Sequence, residues 1–430
     1  MTHFGLLTLP QTGHLNTMLP LGQELQRRGH QVTLFGILDA QAKTLAAGLD
    51  FQVLAEAEFP NGWTAQKISQ QAKLAGFAAF RYSVNWGLEI TAMLLREAPQ
   101  ALETADVEAL LVDQMLVEGR TLAEFLNIPF ITVCSSLMVN WDRDNDIPPY
   151  FTRWDYNPTS STARLHNQRN YLLLSGLGQP FLDLIAQYRR EWNLTPHYLN
   201  HDENFSQLAQ ICQQPAEFEF PRQHLPPHFH FTGPYASSAS RESVLFPFEK
   251  LTGQPLIYAS MGTIQNRQFQ VFRDIAQACM GLDAQLVISL GGGATPESLP
   301  ELPGNPLVVR YAPQLELLQK ATLTITHAGL NTVLESLSYG VPMVAIPLVN
   351  DQPGTAARIV WTGVGEAIPI AHLNVSNLRS AIAKVLSEDS YKKNALRLQA
   401  AIGRAGGVSR AIDIVEQAVS TGKPVLAQSL

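Results

Sequence analysis

Two rhythms of apolar residues alternate along this chain. Short blocks in which nearly every position is apolar, residues 3–8, 31–35, 109–112 and 129–133, read as strands covered on both faces. Residues 18–28 and 117–126 lie between them and carry apolar side chains at helical spacing, the first run closed by Gly29. That alternation predicts a parallel sheet wound with helices on both sides. From about Ser135 the rhythm loosens into a stretch rich in Asn, Asp, Pro and aromatics, after which a helix is expected around 171–191. Residues 232–249 break the periodicity with Gly233, Pro234 and a Ser-rich run, the composition of a linker. The alternation then restarts, with strands expected at 255–260, 285–289, 307–309, 323–326 and 342–346. The expected fold class is therefore α/β, with one Rossmann-like unit over 1–233, a linker over 234–250 and a second unit over 251–407. A final helix, 408–421 within a 408–430 tail, follows Gly406 and Gly407 and is expected to cross back onto the first unit.

Size and composition agree with two units. A chain of 430 residues exceeds the roughly 250–300 that one core usually serves. Hydrophobic residues at 46% against 16% charged supply two cores and exclude disorder for the bulk of the chain. The longest apolar runs are strand-sized, such as 341–348, far short of the ~20 residues of a membrane span. The N-terminus has no basic leader and breaks at Pro10, so a cytoplasmic location is expected. Cys134, Cys212 and Cys279 have no metal or redox spacing. A net charge of −7 argues against nucleic acid as a partner. Residues 1–240 carry 15 Lys and Arg against 23 Asp and Glu, the remainder 15 against 14, so phosphate bound by the second half must be met mainly by backbone groups.

In an open parallel sheet, ligands collect at the carboxyl ends of the strands. The richest such loop is Thr326-His327-Ala328-Gly329-Leu330-Asn331-Thr332, leading into a helix with Glu335. It offers glycine for close approach, an imidazole, and donors at a helix N-terminus, a set that can hold a diphosphate without lysines. Ser260-Met261-Gly262-Thr263 ends another strand. Gly291-Gly292-Gly293 lacks the spaced glycines of a dinucleotide fingerprint. In the first half, Gln11-Thr12-Gly13-His14 follows the first strand and Asp113 ends the 109–112 strand, which puts an imidazole and a carboxylate at one sheet edge.

The series Tyr311-Ala312-Pro313-Gln314, His327 to Thr332, Glu335, Gly340, Pro342, Pro347 and Asp351-Gln352 resembles the nucleotide-sugar motif of inverting UDP-dependent glycosyltransferases acting on small molecules. The run from Asn350 to Ile359 is most similar to bacterial zeaxanthin glucosyltransferases, and the likeness extends to Gly13-His14-Leu15-Asn16 and Arg28-Gly29-His30. The resemblance implies the GT-B fold, two facing Rossmann-like domains, and UDP-sugar as co-substrate with no cofactor or metal. It implies that Tyr311 stacks on uracil with Ala312 and Gln314 beside it, and that His327, Gly329, Asn331 and Thr332, with Ser260, Gly262 and Thr263, hold the diphosphate. Glu335 would accept from the ribose hydroxyls, and Asp351 and Gln352 would bind the sugar. His14 would be the general base and Asp113 its orienting carboxylate. Plant members usually have Trp where this chain has Tyr311, and differ after Asp351-Gln352, where it has Pro353-Gly354. The acceptor would be a lipophilic hydroxyl compound such as a phenolic, carotenoid or sterol, lined by aromatics among Phe77, Phe80, Trp86, Trp141, Tyr150 and Trp154.

Asp142-Arg143-Asp144-Asn145-Asp146 looks like a metal string. Calcium would need Gly at its sixth position and Glu at its twelfth, where Ile147 and Arg153 stand. A sugar-nucleotide metal would belong in the other half, so a solvated loop is expected. A UDP-sugar epimerase or a non-catalytic nucleotide-sugar binding protein would share the second-half residues, but the latter would need neither His14 nor Asp113.

Overall fold

The computed structural model describes the chain except residues 72, 73, 75, 142–144, 196–200, 237–243, 264–268, 293 and 428–430. The first sheet is built from β1 (His3–Leu7), β2 (Gln31–Gly36), β3 (Asp50–Val53), β4 (Ala109–Asp113), β5 (Phe130–Cys134), β6 (Gln210–Cys212) and β7 (Phe229–Phe231). The second contains β8 (Leu256–Ser260), β9 (Gln285–Ser289), β10 (Leu307–Val309), β11 (Ala321–Thr326), β12 (Met343–Ala345) and β13 (Gly365–Ala367). The strand orders are β3-β2-β1-β4-β5-β6-β7 and β10-β9-β8-β11-β12-β13, and every pairing is parallel. The strands are parallel because helices connect them, and covering on both faces explains why β1, β4 and β8 are buried throughout.

Helices α1 (Thr12–Arg27), α2 (Gln41–Ala46), α3 (Trp63–Gln71), α4 (Gly76–Thr104), α5 (Gly119–Leu126) and α6 (Ser161–Glu191) belong to the first half. The second half has α7 (Phe269–Cys279), α8 (Gln314–Leu318), α9 (Leu330–Ser338), α10 (Gln352–Trp361), α11 (Val375–Ser387), α12 (Asp389–Ala405) and α13 (Gly407–Thr421). In β1, Gly5 gives the Leu110 side chain room that a Cβ would take, at 2.8 Å, which lets β1 and β4 sit tightly at the centre of their sheet. The apolar face of α13, Ala411, Ile412, Val415 and Ala418, joins the core of the first sheet. Arg28 clamps it from α1, reaching Asp413 at 2.6 Å and Glu416 at 2.7 Å.

Two boundaries differ from expectation with consequences. Helix α1 begins at Thr12 rather than 18 and takes Pro20 inside it, so His14 lies in its first turn. Residues 76–104, for which the pattern gave no element, form a 29-residue helix; Gly76, Gly87 and Pro99 interrupt the periodicity that would announce it.

In each sheet the winding reverses between the central strands, β1 and β4 in one and β8 and β11 in the other. Ligand crevices open at these switch points. The segments leaving them carry His14, in the first turn of α1, and the residues after Asp113 on one side, and Gly262 and His327 on the other.

Candidate active site

At the first switch point Asp113, fully buried, is ringed by donors. Its Oδ2 accepts from His14 Nδ1 at 2.6 Å, from Ser135 Oγ at 2.8 Å and from Thr8 Oγ1 at 3.0 Å, while Met115 N–H donates to Oδ1 at 3.0 Å. Ser135 Oγ also lies 2.8 Å from His14 Nδ1. A carboxylate so supplied stays ionised: burial pushes its pKa up, but the His14 charge and hydrogen bond, with Met115 and Ser135, bring it below the usual range. Burial would lower the His14 pKa, yet the charge and bond of Asp113, with the charge of Asp351 behind them, leave it raised. With Nδ1–H fixed on Asp113, no described residue bonds Nε2, the nitrogen left for chemistry. Ser135 is missing from the sequence-based set. Its place directly after β5, at the edge where β1 and β4 end, is the signal that could have found it.

The second switch point is shaped around His327. A Cβ at Gly262 would meet the ring at 2.6 Å, and one at Gly329 at 2.4 Å, so both glycines are needed for the imidazole to lie against the loop. Burial pushes the His327 pKa down to about 4, against a hydrogen bond to the Ser260 backbone, so the ring is neutral at pH 7 and offers a hydrogen bond rather than a charge. The N-terminus of α9 opens beside it, with Gly329 as N-cap and no side-chain cap, which leaves its first amides for an anion. Ser260 is buried and its Oγ accepts from Gly262 N–H at 3.3 Å; Thr263 is exposed.

Further along α9, Glu335 is buried and accepts from Gln314 Nε2 at 2.6 Å. Gln314 also reaches Thr332 Oγ1 at 3.4 Å, and Tyr258 OH donates to Gln314 Oε1 at 3.0 Å. Tyr311 is 46% exposed, and a Cβ at Gly292 would stand 1.9 Å from its hydroxyl. Gly292 therefore serves the seat of Tyr311, a purpose the glycine run did not reveal. Ala312, beside it, is half-buried.

The two crevices are held together by named contacts. Leu137 N–H donates to Asp351 Oδ2 at 3.1 Å. Tyr150 lies in the field of the same carboxylate, which with burial pushes its phenol up to about 12. Gln352 is buried, and its Oε1 accepts from Leu348 and Val349 N–H at 2.9 and 3.0 Å, so its amide nitrogen is the end left for a ligand. The Asn331 side chain donates to the Gly13 carbonyl at 2.8 Å, across to the half that carries His14.

The aromatics expected around the acceptor divide. Trp86 packs on Trp63 with ring centroids 6.0 Å apart and belongs to the core of the first unit. Trp141 meets Tyr171 of α6 at 5.3 Å, and Trp154 stacks on His166 of α6 at 3.7 Å. Tyr150 meets the second unit directly, since a Cβ at Gly354 would stand 1.9 Å from its carbonyl oxygen. Phe77 and Phe80 lie on α4, with side chains outside the described residues. Asp142 and Asp144 also lie outside them, and Asp146 pairs with Arg164 at 3.3 Å. Among the described residues no three His, Cys, Asp or Glu side chains gather as a metal site. No helix among them is long and apolar enough to cross a membrane.

Two parallel α/β units joined at their switch-point edges, with a His–Asp pair on one and a glycine-lined helix N-terminus on the other, define a glycosyltransferase of the GT-B class. The chain belongs to the UDP-glucoronosyl and UDP-glucosyl transferase family, whose model matches residues 6–403, and is a UDP-glycosyltransferase. It is 33% identical over 434 residues to the zeaxanthin glucosyltransferase of Pantoea ananas, covering 100% of this chain and 99% of that one. To the zeaxanthin glucosyltransferase of Pseudescherichia vulneris it is 30% identical over 428 residues, covering 99% and 100%. The fold is shared with the solved glycosyltransferase of kitacinnamycin, at TM-score 0.74 and 23% identity over 97% of this chain and 99% of that one. It is shared too with the calicheamicin glycosyltransferase CalG4, at TM-score 0.73 and 21% identity over 99% and 100%.

Proposed function

We propose that the enzyme transfers glucose from UDP-glucose, with inversion, to a hydroxyl of a lipophilic acceptor of carotenoid type. The 2.6 Å bond between His14 and Asp113 carries the chemical part of this reading. The acceptor oxygen attacks the anomeric carbon on the face opposite UDP. As the new C–O bond forms, its proton passes to His14 Nε2 and the bond from C1 to the diphosphate oxygen breaks, leaving UDP with the electron pair. Asp113 balances the imidazolium that results. The α9 amides donate to the departing diphosphate, where charge grows. One displacement inverts C1, so an α-linked donor yields a β-glucoside.

The nature of the acceptor rests on the two full-length relatives named for zeaxanthin, and the choice of glucose on those names together with Asp351 and Gln352. Phosphate charge met by the backbone amides at the start of α9 supports a reaction without metal or cofactor. The cytoplasm, where UDP-sugars are made, is the compartment this reading assigns. The test is purified enzyme with UDP-glucose and zeaxanthin in detergent micelles, following UDP release and the glucoside by mass spectrometry, with and without EDTA. Glucoside formation that survives EDTA is expected. Conversion of UDP-glucose to another UDP-hexose with no acceptor present, or loss of turnover with chelator restored by magnesium or manganese, would overturn it.

A further inference from the structure

Gln213, directly after β6 at the carboxyl edge of the first sheet, is buried and belongs to no part of the reaction described above. Its Nε2 faces three acceptors: the Ser135 carbonyl at 2.7 Å, Asn331 Oδ1 at 2.8 Å and Thr17 Oγ1 at 3.1 Å. An amide has two hydrogens, and the two short contacts use them best. One points to the backbone of the residue whose hydroxyl touches both His14 and Asp113. The other points to the residue one position into α9, at the diphosphate crevice.

Asn331 completes the circuit. Its Oδ1 receives Gln213 while its Nδ2 donates to the Gly13 carbonyl at 2.8 Å, and Gly13 immediately precedes His14. Thr17 Oγ1 closes on the same Gly13 carbonyl at 3.2 Å. Two routes of hydrogen bonds therefore run from one side chain of the nucleotide half to the base: through the Gly13 backbone, and through Gln213 and Ser135. Gln213 adds no charge and lies on the β6 side of the pair, so its effect on His14 is one of placement.

Resting on the glycosyl-transfer reading above, we propose that Gln213, clasped to Asn331, is a positioning residue that sets His14 and Ser135 against the donor when the two halves are together. Removing the clasp lets the base drift relative to C1 while the nucleotide contacts remain in the other half. Small displacements of a reacting group are costly in rate.

The experiment is a double-mutant cycle between Gln213→Met, which keeps volume but no donor, and His14→Ala. Turnover on an aliphatic alcohol and UDP affinity by calorimetry are both read. Gln213→Met is expected to lower kcat by about tenfold, the scale of a buried neutral hydrogen bond, with UDP affinity within about twofold of the parent. In the His14→Ala background the same substitution should change kcat by less than about twofold, because the group it positions is gone. Asn331→Ala, at a partly exposed position, is run through the same cycle and stands in should Gln213→Met not fold. A parental kcat in both variants, an equal fall with and without His14, or a loss of UDP affinity that accounts for the fall would overturn the proposal. A His14→Ala enzyme with parental turnover would instead overturn the glycosyl-transfer mechanism on which it rests.

Discussion

Arg358 on α10 and Glu219 of the first half form a buried ion pair held by two bonds, Nε to Oε2 at 2.8 Å and Nη2 to Oε1 at 2.5 Å. Gln214 and Arg222 add to the same carboxylate at 2.8 and 3.2 Å, and the guanidinium lies 4.3 Å from the Phe220 ring centre. The pair joins the two units a few residues from Asp351 and Gln352.

Losing the carboxylate should cost more than losing the guanidinium of Arg358. Arg358→Met leaves Glu219 paired with Arg222. The variant with both Arg358→Met and Glu219→Met takes that carboxylate from the buried Arg222 as well, so it should lose more in chemical unfolding, on the scale of about 3–5 kcal/mol for a broken buried pair. Burial pushes the Glu219 pKa up, but Arg358 and Arg222 outweigh it and hold it at about 2 against an ordinary 4.5. The folded value is the lower one, so the stabilisation is complete above about 4.5 and is lost as pH falls toward 2. Acid unfolding of the double variant should show a shallower dependence across that window; an unchanged profile would refute this role.

Glu335 should matter for UDP as the buried carboxylate on α9 to which Gln314 donates. Replacing it with Ala removes a charged acceptor for the ribose, a contact worth about 1.5–3 kcal/mol, and calorimetric UDP affinity should fall accordingly. Gln314→Leu should weaken UDP less, because it releases the carboxylate without removing it. Equal UDP affinity in Glu335→Ala and the parent would remove Glu335 from the ribose site.

Gln352 can be separated into two functions by one substitution. In Gln352→Glu an oxygen can still accept from Leu348 and Val349, so the loop should keep its shape and the melting temperature should stay close to that of the parent. The nitrogen proposed to face the sugar is replaced by an acceptor. The rate with UDP-glucose and its preference over UDP-galactose should both fall. A fall in melting temperature with preference intact would mean that Gln352 serves the loop alone.

The legibility of this molecule follows the periodicity of its elements. Strands β1, β2, β4, β5 and β8 to β12 are visible because burial on both faces leaves nearly continuous apolar blocks. β3 (DFQV) and the three-residue strands β6 (QIC), β7 (FHF) and β13 (GEA) are too short or too polar to stand out, and their partners alone make them strands. The GT-B class follows from the family resemblance that the motifs carry, and the solved neighbours share that fold. What spacing cannot supply is the closing of the network: Ser135 and Gln213 lie 121 and 199 positions after His14, and only sheet order brings them beside it. Nor does spacing show that the side chain of Asn331, in the expected loop, reaches Gly13 and Gln213 of the other domain.

The His14–Asp113 pair predicts a pH signature besides a rate loss. The base must be neutral to take a proton, and Asp113 raises the His14 pKa, so turnover of the parent should rise with pH through a value above the ordinary 6.5. Asp113→Asn removes the charge that favours imidazolium, while the burial that lowers the pKa stays, so the rising limb should move to lower pH. Turnover at the plateau should nevertheless fall, because an amide cannot balance the charge formed during transfer. His14→Ala should lower kcat by about 10²–10⁴ and abolish that limb, with UDP affinity near the parental value because the proposed nucleotide contacts lie in the other unit. The loss should be smaller for acidic phenols, which need less help in giving up the proton, than for aliphatic alcohols. A rising limb that moves upward in Asp113→Asn, or stays in His14→Ala, would assign the titration to another group and remove His14 as the base.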